Sequence, residues 1–210
     1  MRAREFWWIF TRPREVFDLL LRKPQCLRIA VAMTAVQVII AFLPIMMNTK
    51  QFSSNAAVVI LLVVAGFTAL KFHVSALFLF MALLVAGRTS GKVLYRQLLS
   101  TTVHACLILL LGRMCAAVVT VIITLQRKTE FAMVSFVNVN TILSAFNLPT
   151  FLAFEKADIF AAWFIGLVAI GVRRTLPLNR AATLLIAGAD WLLLAAFQES
   201  LFQYLRSPIP

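Results

Sequence analysis

The stretch NAAVVILLVVAGFTALKFHVSALFLFMALLVAG, residues 55–87, decides the fold class, because Lys71 and His73 are its only ionisable side chains. A helix of about 20 apolar residues crosses the hydrocarbon core of a bilayer, so this stretch predicts a membrane-spanning helix. It is followed at once by RTSGKVLYR, residues 88–96, which carries Arg88, Lys92 and Arg96. Because clusters of Lys and Arg mark cytoplasmic loops, we expect the helix to end on the cytoplasmic side.

The composition of the whole chain is that of an all-α, polytopic membrane protein. Of its 210 residues, 62% are hydrophobic and only 13% are charged, whereas about 25% are charged in a typical soluble domain. The net charge is +12, but a nucleic-acid-binding domain collects such charge on one face of a soluble fold. Here the basic residues alternate with apolar runs, and we therefore expect no nucleic-acid partner.

Three clusters of basic residues set the predicted topology. They are Arg2, Arg4, Arg12, Arg14, Arg22, Lys23 and Arg28; Arg88, Lys92 and Arg96; and Arg173, Arg174 and Arg180. Placing all three clusters on the cytoplasmic side predicts five transmembrane helices within residues 26–210, with the N-terminus inside and the C-terminus outside. The predicted spans are roughly 29–47, 64–87, 108–126, 157–174 and 181–202.

Two apolar segments remain outside these spans. Two crossings within residues 55–87, or one crossing by residues 131–154, would move a basic cluster to the outside. We therefore predict that residues 55–63 and 131–154 are interfacial or re-entrant, and the sequence does not choose between these alternatives. The third span is entered through a partly polar stretch, residues 100–104.

Residues 1–25 are predicted to form a cytoplasmic amphipathic segment that lies in the headgroup layer. Pro13 suits the first turn of a helix, where the missing N–H would have no partner in any case. Apolar residues recur at helical spacing from Val16 to Leu21, and Pro24 ends the helix before the first span. Because the segment is also rich in arginine, we expect anionic lipids to be its partners.

Asp190 is the strongest candidate for a functional residue. It lies near the middle of the last predicted span, where a carboxylate costs at least ~2.5 kcal/mol, so it should face the bundle interior or have a partner. Arg113 lies near the middle of the third predicted span, and the two depths match. The pair is interpreted either as a proton- or ion-responsive site or as a buried structural ion pair.

Lys71 and His73 are the other polar candidates within the membrane. Residues two apart point to nearly opposite sides of a helix, so these two side chains cannot line one pore. We expect Lys71 to extend toward the outer membrane surface, as long basic side chains near a helix end do. The chain has no phosphate-cradling glycine-rich loop, no H-E-x-x-H motif and no paired-cysteine metal motif. We therefore predict no catalytic residue, metal or cofactor.

A set of motifs distributed along the chain resembles the Yip (Ypt-interacting protein) membrane family. They are Pro13 and Phe17 followed by Pro24; Gly91-Lys92; Asp158, Phe160 and Trp163 followed by Leu167 and Gly171; and Asn179-Arg180-Ala181. The likeness covers about residues 12–205 and implies a five-span fold. For eukaryotic relatives it implies partnership with prenylated Rab-type GTPases in vesicle traffic.

The chain departs from those eukaryotic relatives at its N-terminus. It lacks their long cytoplasmic region and their Asp-Leu-Tyr-Gly-Pro motif, so it is similar to the short bacterial members of the family. This likeness implies a bacterial inner (plasma) membrane. Trp163 also has a simpler interpretation, as an aromatic anchor at the membrane interface.

Two functional hypotheses follow. The first is a non-enzymatic integral membrane protein that acts through protein or lipid partners, or as a homo-oligomer, in membrane organisation or trafficking-like processes. The alternative is a small transporter or lipid-handling protein that uses Asp190 with Arg113 or Lys71. A water-accessible cavity around Asp190 would favour the transporter, and a dry, tightly packed bundle would favour the partner-binding protein.

Overall fold

A computed structural model of the chain is all-helical, without strands, over the residues that it describes. These are residues 8–9, 11–22, 26–47, 54–85, 91–127, 158–175 and 178–206. The helices are α1 (Pro13–Arg22), α2 (Leu27–Met47), α3 (Ser54–Val85), α4 (Gly91–Arg127), α5 (Ile159–Thr175) and α6 (Arg180–Arg206). The predicted all-α class is confirmed. Pro24 and residues 131–154 lie outside the described residues.

Three helical segments are long and apolar enough to cross a membrane. Within the described residues they are Leu61–Val85, Leu94–Thr124 and Arg180–Glu199, and a shorter apolar segment is Leu27–Leu43. Helix α5 has 17 residues and ends in a basic turn. The length and the apolar composition of these helices therefore indicate an integral membrane protein. The number of five membrane crossings stays a prediction.

Two helices are longer than the predicted spans. Helix α3 has 32 residues without interruption, about 48 Å at ~1.5 Å per residue, so residues 55–63 are its first turns and not a separate re-entrant segment. Helix α4 has 37 residues, and the predicted third span, 108–126, is only its second half. The helix continues through the polar stretch 100–104. All five side chains of this stretch are buried.

Four helices form a closed ring, and two others pack on its outside. Helix α3 packs on α4, α4 on α5, α5 on α6, and α6 again on α3. Helix α2 lies against α3 and α4, and α1 lies against α4 and α5. Most of the described side chains inside the bundle are apolar and almost fully buried, among them Leu79, Leu98, Ile108 and Phe164.

Large apolar side chains also cover the outside of the bundle. Leu62 is 68% exposed and Leu185 is 74% exposed. Exposed apolar surface of this extent marks a protein or membrane contact in water-soluble proteins. On helices of this length, acyl chains are the natural solvent for these side chains.

Helices α4 and α5 approach closely at two glycines. A Cβ atom at Gly112 would lie 2.7 Å from two ring carbons of Phe160, and a Cβ atom at Gly171 would overlap the Thr101 methyl group. Phe160 and Gly171 are eleven residues apart, as are Thr101 and Gly112, so the two helices run antiparallel in a fixed register. Small residues permit such close packing between membrane helices.

Helix α1 is amphipathic, and it packs on the bundle. Val16, Phe17 and Leu20 are buried, and Phe17 lies near Gly171 of α5. The amide nitrogen of Gln97 on α4 donates a 3.0 Å hydrogen bond to the Leu21 carbonyl oxygen, which pairs a carbonyl that the end of a helix leaves free. The apolar face is thus covered by protein, whereas a purely interfacial helix would present it to lipid.

Candidate functional site

Asp190 lies inside the helix ring and is completely buried. Its Oδ2 atom accepts a 2.8 Å hydrogen bond from the Ser75 hydroxyl on α3. The Ser75 Oγ atom lies 3.2 Å from Oγ1 of Thr102 on α4. Polar contacts through Ser75 therefore connect α6, α3 and α4. Each contact requires a specific pair of facing residues, so these contacts fix the positions of the three helices along their axes relative to one another.

The polar stretch of α4 continues this buried polar region. The Nδ1 atom of His104 lies 2.6 Å from the Ser100 carbonyl oxygen. Because a carbonyl oxygen can only accept a hydrogen bond, Nδ1 is the protonated ring nitrogen and donates this hydrogen bond. Among the described residues, Ser100 Oγ, His104 Nε2 and Asp190 Oδ1 are buried without a hydrogen-bond partner. Unpaired buried polar atoms are rare in folded proteins and call for a physical explanation.

Arg113 belongs to a different polar cluster. Oγ1 of Thr68 lies 2.9 Å from Oε1 of Gln37, and Nη1 of Arg113 lies 3.5 Å from the same Oε1 atom. This cluster connects α2, α3 and α4, on the side of the ring where α2 packs. Gln37 and Thr68 are both buried, at 6% and 4% exposure.

The structure does not bring Arg113 and Asp190 together as the matched depths suggested. Among the described residues they form no ion pair, because Asp190 lies at the level of Thr102 and Arg113 is eleven residues further along α4. Eleven residues correspond to about 16 Å at ~1.5 Å per residue. The mismatch arises because α4 begins at Gly91, so the midpoint of the apolar run is not the level at which α6 packs.

Lys71 and His73 face different sides of α3, as their spacing predicts. Lys71 is 7% exposed and does not extend to the bundle surface, contrary to the prediction, because it lies 17 residues after the start of α3. Its Nζ atom lies 5.5 Å from the centroid of the Phe72 ring. His73 is exposed, and its Nδ1 atom lies 2.9 Å from the hydroxyl of Tyr95.

The family-motif residues within the described part of the chain act in capping and close packing. Oδ1 of Asp158 accepts a 2.8 Å hydrogen bond from the Ala161 amide, which caps the start of α5. Phe160 covers Gly112, and Gly171 lies against Thr101 and Phe17. Pro13 opens α1, and Trp163 is 40% exposed.

A second feature is a cavity of about 320 Å³ where α1, α5 and α6 meet. It is lined by Arg14, Ile170, Arg173, Arg174 and Arg180. Neither Asp190 nor Lys71 lines it. From the sequence these arginines indicated topology and, for the segment that contains Arg14, an affinity for anionic lipids. That the four arginines share a cavity becomes visible only in the tertiary structure, where α1 packs on α5.

Sequence reasoning also missed the partners of the candidates. Thr68 and Ser75 are seven residues apart, which places them on one face of α3, and that periodicity is the signal that could have identified them as interior polar residues. No group of three or more His, Cys, Asp or Glu side chains is placed to hold a metal ion in the part of the chain that the structure describes.

Comparison with known protein families identifies a match over most of the chain. A family model of the Yip1 domain matches residues 7–198, which is nearly the whole chain. No curated protein and no solved structure matches the chain. The match covers both polar clusters, the arginine cavity and the glycine contacts between α4 and α5.

Proposed function

The chain belongs to the Yip1 domain family, and from this premise we propose that it is a five-span membrane protein that acts through partners rather than by catalysis or transport. The proposed partners are anionic lipids at its arginine-rich cytoplasmic end, together with other proteins or a second copy of the chain. The proposed role is the organisation of a membrane, with the N-terminus cytoplasmic and the C-terminus outside. A bacterial inner membrane is the proposed location, from the likeness to short bacterial members.

One observation carries this proposal: Asp190 is completely buried and bonded to Ser75 inside the helix ring. A transporter that used this carboxylate would need a water-filled path to it. Ionisable side chains that form ion pathways through membranes face water-filled cavities. The arginine cavity lies at another place in the bundle. The packing around Asp190 therefore favours a structural role for the acid and a surface role for the protein.

The arrangement of the helices supports the five-span topology. The end of α4 and the start of α5 lie at the same end of the bundle, because Gly112 meets Phe160 while Thr101 meets Gly171. A single crossing by residues 131–154 would require opposite ends. Arg14 and Arg180 line one cavity, so the first and third basic clusters meet at the end proposed to be cytoplasmic.

The transporter remains the second candidate because of two observations near Asp190. Lys71 is buried one turn before Ser75 on the same helix, and residues four apart share a helix face. The Asp190 Oδ1 atom has no hydrogen-bond partner among the described residues. Lys71 is thus a better candidate than Arg113 for a second group acting with Asp190.

The experiment that separates these functions measures water access to Ser75. Ser75→Cys is introduced into a variant in which Cys26, Cys106 and Cys115 are replaced by alanine, and the protein is reconstituted in liposomes. A small, membrane-impermeant thiol reagent is applied from each side. We expect no reaction, because Ser75 is 0% exposed, and complete reaction after denaturation in detergent.

The matched control is Arg173→Cys in the same cysteine-free background. Residue 173 is exposed and lines the arginine cavity, so its cysteine should react from one side of the membrane. Reaction of the cysteine at position 75 with the reagent in intact liposomes would contradict the proposed function and establish the aqueous path that a transporter requires.

A further inference from the structure

We propose that the cavity between α1, α5 and α6 binds the phosphate group of an anionic lipid headgroup. The cavity has a volume of about 320 Å³, which lies in the range of small-ligand sites, about 300–1,000 Å³. Three separate elements supply its arginines: α1 supplies Arg14, α5 supplies Arg173 and Arg174, and α6 supplies Arg180. The proposal rests on the proposed function, because it names the lipid class and the site within that role.

Charge in the cavity is strongly unbalanced. Of the five described residues that line it, four are arginines. The described acid nearest to them is Asp18, whose Oδ1 lies 3.4 Å from Nε of Arg174. That contact uses one of the five N–H donors of the guanidinium and leaves its two terminal nitrogens available. Four arginines brought together by three elements repel one another, and a bound anion relieves this repulsion.

Guanidinium chemistry favours phosphate as the anion. The planar fork of arginine matches two oxygens of a phosphate, whereas lysine presents a single point charge. Helix α6 begins at the cavity, with the Ala182 amide donating a 2.7 Å hydrogen bond to Oδ1 of Asn179. Its amino-terminal end adds a partial positive charge to that of the arginines.

The position of the cavity points to a lipid as the source of the phosphate. Arg173 and Arg174 lie in the last turn of α5, and Arg180 lies in the first turn of α6. The cavity therefore lies at the ends of the two helices. One turn into α6, Leu184 and Leu185 are 53% and 74% exposed. A lipid can therefore place its phosphate among the arginines while its acyl chains lie along the apolar surface of α6.

The test uses native mass spectrometry of the intact protein in detergent, titrated with phosphatidic acid or with phosphatidylcholine of the same acyl chains. We expect phosphatidic acid to bind more tightly than phosphatidylcholine, whose choline group offsets the phosphate charge. Arg14→Gln, Arg173→Gln and Arg180→Gln should each weaken binding of phosphatidic acid by about tenfold or more, since each removes charge-assisted hydrogen bonds.

Two exposed arginines outside the cavity provide matched controls. Arg28→Gln and Arg96→Gln make the same change of charge at the start of α2 and in the second turn of α4, and they should alter binding less than about twofold. Arg173→Lys preserves the charge but not the bidentate geometry, and we expect an intermediate loss. Thermal unfolding of every variant identifies any that fails to fold, and the lysine variant keeps the test decisive in that case.

Inorganic phosphate separates the two possible sources. If it does not displace phosphatidic acid, the lipid is the ligand; if it does displace the lipid at low concentration, the site is one for free phosphate. Equal binding of the two lipids, or equal losses in the cavity and control variants, overturns the proposal. Such a failure leaves the accessibility of Ser75 unaffected, so it is distinguishable from failure of the proposed function.

Discussion

Replacement of Gly171 by alanine should destabilise the protein at the point where α1, α4 and α5 meet. A Cβ atom at this position overlaps the Cγ2 methyl of Thr101 and lies 3.4 Å from Cδ1 of Phe17. Thr101 is 2% exposed and Phe17 is 1% exposed, so neither side chain has free space to move into. The new methyl can be accommodated only by moving α5 away from α4 or α1.

The magnitude follows from two opposing effects. Overpacking a well-packed interior typically costs about 1–3 kcal/mol, while alanine is favoured over glycine inside a helix by about 1 kcal/mol. Gly166 provides the matched control on the same helix, because nothing lies within 4 Å of a Cβ atom placed there. Helix propensity cancels between the two variants, so Gly171→Ala should be less stable than Gly166→Ala by about 1–3 kcal/mol.

The assay is equilibrium unfolding in mixed detergent micelles, with helical content measured by circular dichroism. A second substitution makes the test specific, because Thr101→Ser deletes the methyl group that the new Cβ atom overlaps. Most of the lost free energy of unfolding should return in Gly171→Ala/Thr101→Ser. Equal stability of Gly171→Ala and Gly166→Ala, or no recovery in the double variant, would refute the close contact between α4 and α5.

Two further predictions concern the interior and the topology. In a double-mutant cycle on the free energy of unfolding, Ser75→Ala and Asp190→Ala should be coupled by about 0.5–3 kcal/mol. The effects of Arg113→Ala and Asp190→Ala should instead be additive within about 0.5 kcal/mol. Coupling of this second pair, measured by thermal or detergent unfolding, would contradict the separation of the two polar clusters. Single cysteines at positions 92 and 128, in a background without the native three, should be labelled from opposite sides of the membrane, and labelling of both from the outside would exclude five spans with a cytoplasmic N-terminus.

The sequence by itself determined the fold class and the family. Both follow from properties of single segments: an apolar run such as residues 55–87 requires a helix in a membrane, since unpaired backbone groups cannot remain in hydrocarbon. The amphipathic character of α1 is likewise local, because it depends only on the spacing of Val16, Phe17 and Leu20. The opposite directions of Lys71 and His73 follow from the geometry of one helix.

Only the tertiary structure decided which polar groups meet. The partner of Asp190 depends on the rotation and axial offset of three helices, and an offset of eleven residues along α4 is enough to place Arg113 in another cluster with Gln37. The burial of Lys71 depends on how far α3 extends before it. Neither quantity is recorded in the hydrophobicity of a single segment.

The arginine cavity has the same origin. Arg14 is more than 150 residues from Arg173 in the chain, and nothing in the local sequence around either residue indicates that the two side chains meet. They come together because Phe17 packs where Gly171 leaves room between α1, α4 and α5. Local composition therefore determined that this chain is a membrane protein. The contacts between helices decided where its charged side chains come together, because close packing selects one rotation and one axial position for each helix.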